Sequence, residues 1–141
     1  MSTDSAPPDE RKLVHVARIA LRWRDMDVNR HVNNVEYFRF MEQARIEWFH
    51  SAFAQRPDNL HGIVVANAYC SFLRPMLYPS TIDVCLSVGP TGRSSFTFYY
   101  DIHPENDRSV KYADGYSRAV YVDRRTGRPV PLPEYVRKLL A

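Results

Sequence analysis

At 141 residues the chain is long enough to bury a hydrophobic core, and 45% hydrophobic with 25% charged residues excludes an intrinsically disordered segment. Lys and Arg outnumber Asp and Glu by only 19 to 16, scattered along the chain, which suits an anionic ligand and argues against a nucleic-acid partner. The longest apolar run, Ile63-Val64-Val65-Ala66, is far short of the roughly 20 residues of a spanning helix, so no membrane segment is expected.

Residues 1–11 carry Asp4, Pro7, Pro8, Asp9 and Glu10 without an apolar core, and read as a flexible tail rather than a signal peptide or anchor. Residues 12–141 read as one domain. From Leu13 to Trp23 the pattern alternates, with Leu13, His15, Ala17, Ile19, Leu21 and Trp23 on one face and Arg18 and Arg22 on the other. A period of two predicts a half-buried strand. The period then changes. From about Asn34 to Phe53, Tyr37, Met41, Ala44, Trp48 and Ala52 recur at spacings of three and four, which predicts one long amphipathic helix. Asn33 or Asn34 suits its N-cap, and Glu36 sits where the helix dipole favours negative charge.

Gln55 to Gly62 reads as a loop, followed by strand-like blocks at about 63–73, 81–88, 94–102 and 109–123, separated by turn residues. A short terminal helix is expected over 132–140. Short turns make neighbouring strands antiparallel. Five strands and one long apolar helix predict an α+β domain, a curved antiparallel sheet wrapped around that helix. Cys70 and Cys85 lie in apolar runs and read as buried free thiols, which points to a reducing cytoplasm.

Between the first strand and the long helix runs Arg22-Trp23-Arg24-Asp25-Met26-Asp27-Val28-Asn29-Arg30-His31-Val32-Asn33-Asn34. Two acids, three asparagines and a histidine crowd this turn. The chain has no Gly-x-Ser-x-Gly elbow, no Walker loop, no His-Glu-x-x-His and no paired Cys-x-x-Cys. Only Asp25, Asp27 and His31 together could hold a metal, and none is expected. What remains is carboxylate chemistry. Asp27, placed near the helix start, can attack a carbonyl or deprotonate a water, with backbone amides there receiving the oxyanion. Asn29 and His31 are close enough in sequence to hydrogen-bond a water, a leaving group or Asp27 itself. Asp and Asn are also ordinary turn residues. Asp25 is read as structural, and Asn33 and Asn34 mainly as turn and capping groups.

The run Asp25-Met26-Asp27-Val28-Asn29-Arg30-His31-Val32-Asn33-Asn34-Val35-Glu36-Tyr37, followed by Glu42-Gln43-Ala44-Arg45, resembles the hot-dog-fold acyl-CoA thioesterases of the 4-hydroxybenzoyl-CoA thioesterase superfamily. The likeness is greatest to the branch carrying His-Val-Asn-Asn, which includes bacterial long-chain acyl-CoA thioesterases. It extends from about Leu13 to Val122. The resemblance implies a hot-dog fold, a homodimer or a tetramer of dimers, and sites at the subunit interface. It implies hydrolysis of acyl-CoA to free acid and coenzyme A, with Asp27 as nucleophile or general base, His31 and Asn29 beside it, and no cofactor. Asn33, Asn34 and Tyr37 would then line the substrate, although an apolar-face tyrosine here is as readily core. Arg93, Ser94 and Ser95 would meet the CoA phosphates, or form a solvated turn. Glu42 is expected to pair with Arg39, Arg45 or the sheet. An acyl-carrier-protein thioesterase and a non-catalytic acyl-thioester binding module are the competing expectations.

Overall fold

The computed structural model describes residues 10–53 and 61–141, so the expectations for residues 1–9 and for most of the 55–62 loop fall outside the described residues. Strand β1 (Lys12–Ala20) leads through a 3₁₀ turn (Trp23–Asp25) into helix α1 (Asn34–Ala52). Then follow β2 (His61–Phe72), β3 (Thr81–Val88), β4 (Ser95–Pro104), β5 (Ala113–Asp123) and a short α2 (Glu134–Leu140). All pairings are antiparallel and the sheet order is β1-β3-β4-β5-β2. This is the hot-dog architecture, a five-stranded sheet on one long helix, with two α-helices among the described residues.

Helix α1 forms because nineteen residues pass without glycine or proline while one face stays apolar. Tyr37, Phe40, Met41, Ala44 and Trp48 are buried along it. Asn33 is the N-cap, its Oδ1 accepting the Val35 N–H at 3.0 Å. The sheet answers with Ile82, Val84, Leu86 and Val88 of β3 and Phe96, Phe98, Tyr100 and Ile102 of β4, all buried. Beside them passes Gly115 of β5. A Cβ there would lie 2.2 Å from the Tyr69 carbonyl oxygen and 3.0 Å from Met41 Cε, so only glycine lets β5 run under α1 and against β2.

Two sequence expectations change, and one acid is buried. A bulge between Leu13 and His15 pairs Leu13 with the outward-facing Ser87, which leaves Leu13 exposed instead of on the core face. Trp23 also leaves that face, because β1 ends at Ala20; it is 74% exposed, edge-on to Tyr78 at 5.8 Å. Asp83, which alternates with Ile82 and Val84 along β3, is fully buried although charged. Arg18 Nε (2.9 Å) and Nη2 (3.2 Å), Arg108 Nη1 (2.9 Å) and the Asn106 N–H (3.0 Å) all donate to its carboxylate. The Arg18 hydrogen bond is the largest influence and burial opposes it; with Asn106 and Arg108 added, the Asp83 carboxyl is held far below the usual carboxylate range.

Candidate active site

The turn before α1 is built in two layers, and the inner one is Asp25. This side chain is fully buried and accepts from the Arg22 N–H (2.7 Å), Arg22 Nε (3.2 Å) and Nη2 (2.9 Å), and Arg39 Nη2 (3.1 Å). Burial pushes its carboxyl up, but the Arg22 hydrogen bonds and the Arg22 and Arg39 charges outweigh it and set the group below the usual range. Arg39 also pairs with Glu36, and the Asp25 carbonyl accepts the Asn33 N–H at 2.9 Å. Asp25 therefore ties the turn to the first two turns of α1. It is the structural acid, as expected, with its carboxylate occupied by arginine donors.

On this base the chain makes a small loop. Met26 and Val32 bridge antiparallel, the His31 carbonyl accepts the Asp27 N–H and the Asp27 carbonyl accepts the Arg30 N–H, both at 3.0 Å. Arg30 takes φ 63° to close it. Asp27 stands half-buried at the loop's entry. Its Oδ1 accepts the Asn29 backbone N–H at 2.9 Å, while its second oxygen receives no hydrogen bond among the described residues. The Asn29 and His31 side chains are exposed beside it and also without partners among the described residues. So it is the Asn29 backbone, not its amide side chain, that meets Asp27.

The other sequence-selected residues divide. Asn33 and Asn34 begin α1, next to this loop, and both are exposed. Tyr37 is only 2% exposed, packed edge-on against Phe72 at 4.9 Å with its hydroxyl 3.5 Å from the Arg74 carbonyl; the structure puts it in the core. Arg93, Ser94 and Ser95 lie in the β3–β4 hairpin at the far end of the sheet. The loop instead joins the near end, where Leu21 N–H reaches the Ser80 carbonyl and Val32 N–H the Met76 carbonyl. Within one chain the length of β3, roughly 25 Å, separates the two groups. Arg93 is exposed, and its carbonyl accepts from Leu132 N–H (2.9 Å) and Arg137 Nη2 (3.0 Å); the buried Ser95 hydroxyl accepts from Arg118 Nη2 at 2.9 Å.

Sequence reasoning missed a cavity of about 300 Å³ between α1 and the β2 side of the sheet. Val35, Phe38 and Met41 form its apolar wall on α1, facing Val65 and Ala68 of β2. Its polar members are Arg39, Glu42, Arg45, Tyr100 and Ser117. Arg45 Nη1 donates to the Tyr100 hydroxyl at 2.9 Å, and that hydroxyl is 2.5 Å from Ser117 Oγ. Burial pushes the Tyr100 phenol up, against the Arg45 charge and both hydrogen bonds, so it remains protonated. The expected pairing of Glu42 is not made: Arg39 turns to Glu36 and Asp25, and Glu42 has no ion pair or hydrogen bond among the described residues. An arginine adjoining the apolar stripe at Ala44 was the available signal for this cavity; nothing local marked Ser117.

Residues 21–140 match the thioesterase-like superfamily. Among solved structures, the Pseudomonas aeruginosa protein PA2801, named as a candidate thioesterase, is 34% identical with a TM-score of 0.85, covering 92% of this chain and 100% of its own. A Xanthomonas campestris protein named as a candidate acyl-CoA thioesterase is 35% identical with a TM-score of 0.73, over 79% of this chain and 95% of its own. An Aquifex aeolicus relative named as a candidate esterase is 27% identical over 89% of this chain and 96% of its own length.

Proposed function

This chain belongs to the thioesterase-like superfamily, and from that premise we propose that it hydrolyses acyl-CoA thioesters to free acid and coenzyme A. The observation that carries the reading is Asp27, a half-buried carboxylate held at one oxygen by the Asn29 N–H with the other left open. The hydrogen bond fixes the rotamer without consuming the reactive lone pairs. The open oxygen either removes a proton from a water that attacks the thioester carbonyl, or attacks that carbonyl itself and is freed by water in a second step. In both routes the carbonyl oxygen gains the negative charge. The Asn34 N–H receives it: of the first-turn amides of α1 it alone has no hydrogen bond among the described residues, since those of Asn33, Val35 and Glu36 are taken, and the helix dipole there favours negative charge. Collapse breaks the C–S bond, and coenzyme A leaves as its thiol, its sulfur taking the proton that Asp27 removed from water or, in the covalent route, one from solvent. His31 and the Asn29 side chain, exposed in the same loop, would orient the water or the departing sulfur. The mechanism needs no metal or redox cofactor.

A homodimer accompanies this reading. Strand β2 is a twelve-residue sheet edge carrying exposed Val64, Val65, Tyr69 and Phe72, an edge that invites pairing with another copy of itself. Pairing there would close the open side of the cavity and bring a second chain to the site. The two free cysteines suit a reducing cytoplasm, and no helix among the described residues is long and apolar enough to cross a membrane.

The test is thiol release from acyl-CoAs of graded chain length, the long-chain esters of the resembled branch included, for native protein and Asp27→Asn. Native turnover with a loss of at least roughly 10²-fold in the variant, the lower end of what a positioned acid or base supplies, supports the reading. Full activity in the variant rules out Asp27. Binding of acyl-CoA without any thiol release identifies a binding module.

A further inference from the structure

The cavity beside α1 has an apolar body, but two charged residues of its lining, Arg45 and Glu42, are incompletely partnered. Arg45 is half-buried and offers five N–H donors, of which one meets the Tyr100 hydroxyl; it has no carboxylate partner among the described residues. Tyr100 and Ser117 are each 1% exposed and share one short hydrogen bond. Whichever hydroxyl gives the shared proton, the other keeps a hydrogen to donate. Glu42, on the same wall, is a free acceptor. A saturated alkyl chain filling this space would strip water from the unused donors of half-buried Arg45 and return nothing, which is unfavourable for every hydrogen bond left unmade.

We propose that this cavity selects acyl groups carrying a hydroxyl at their far end, with Arg45, Ser117 and Glu42 as the residues that read it. The proposal rests on the thioesterase reading and names its substrate class. A hydroxyl oxygen accepts from Arg45 and from the Ser117 side of the Tyr100 pair, and its hydrogen goes to Glu42. A terminal carboxylate satisfies the donors but faces the Glu42 charge, so it is the poorer fit. The apolar wall of Val35, Phe38 and Met41 carries the methylenes between thioester and hydroxyl. From Val35 to Arg45 the helix rises about 15 Å, and Arg45 leans back toward the helix N-terminus, so the matching chain is of medium length. The catalytic turn and the cavity share a frame: Asn33 caps Val35, and Arg39 lines the cavity while holding Asp25.

The experiment compares kcat/KM for three CoA esters of equal length, hexanoyl, ω-hydroxyhexanoyl and adipoyl, and repeats it with decanoyl, ω-hydroxydecanoyl and sebacoyl. Native protein is expected to prefer the ω-hydroxy ester over the alkyl ester by roughly 10-fold to 100-fold in at least one set, the range of a hydrogen bond to a charged group. Arg45→Met is expected to collapse that ratio toward one, and Glu42→Gln to raise the diacid relative to the hydroxy ester. The ratio within one protein cancels any loss common to all substrates. Tyr100→Phe, which keeps the ring, serves if Arg45→Met does not fold, and it too must lower the ratio. A native preference for the alkyl or diacid ester, or a ratio unchanged in Arg45→Met, overturns the proposal. If no ester releases thiol, the hydrolase reading has failed, and calorimetric binding of the same esters still decides this one: the hydroxy ester must bind tighter than the alkyl ester, and equal affinities overturn it.

Discussion

Asp83 and Asp25 on one side, and Asp27, Glu42 and Arg45 on the other, show two ways a folded chain treats charge. Each member of the first pair is fully buried and surrounded by donors: Arg18, Asn106 and Arg108 from distant segments around Asp83, and the neighbouring Arg22 with Arg39 of α1 around Asp25. Nothing is left for a ligand to bind. The second group sits half-buried or exposed with lone pairs or N–H donors unused, around one loop and one cavity. Saturated charge fastens elements together, whereas unsaturated charge held in place by those fastenings is where a substrate can be recognised. Buried acids of the first kind are poor catalytic candidates for a physical reason: their ionised form is already stabilised, and their oxygens are already occupied.

The largest effect is expected at Asp83. Asp83→Ala leaves two arginines without their shared carboxylate, and we expect about 3 kcal/mol of destabilisation, toward the lower end for a broken buried pair because both arginines keep access to water. Urea denaturation measures it, and a loss below about 1 kcal/mol would mean the cluster is decorative. Asp27→Asn should do the reverse, losing the roughly 10²-fold of activity given above while leaving stability within about 0.5 kcal/mol, as expected away from buried contacts.

Gly115→Ala tests the packing that sets the cavity's width. The added methyl meets the Tyr69 carbonyl and Met41, so β2 and α1 must shift, at about 1–3 kcal/mol. Thermal unfolding would register it, and an unchanged midpoint would show that β2 yields freely. Asn33→Ala removes only a cap and should cost about 1 kcal/mol. The same pairs also set a dependence on pH. Asp83 and Asp25 both have carboxyls lowered on folding, so their contribution is present above the unfolded value near 4 and is lost as pH falls through the lower folded values. Stability curves of native protein and Asp83→Ala should therefore converge below about pH 4. Parallel curves would place the acid sensitivity elsewhere.

Much of the molecule was legible in local pattern. The long helix, its Asn33 cap, the apolar face of β4 and the structural role of Asp25 all follow from residues within a few positions of one another. What local pattern did not show has one cause. Leu13 left its face through a bulge, Asp83 was buried by arginines 65 and 25 residues away, and Glu42 stayed unpaired because Arg39 was taken by Glu36 and Asp25. The candidate site was half legible: the Asp27 loop stood out as a dense polar turn, while the Arg45–Tyr100–Ser117 chain spans separations of 55 and 17 residues and left no mark in either neighbourhood.

By itself the sequence determined what periodicity and turn chemistry can encode: five strands, one long helix, and a polar turn rich enough in carboxylate and amide to suggest chemistry. Only the tertiary structure decided which acids are consumed and which remain open. That choice depends on donors brought together by strand pairing and helix packing, and a hydrogen bond takes no account of how far apart its partners lie in the chain.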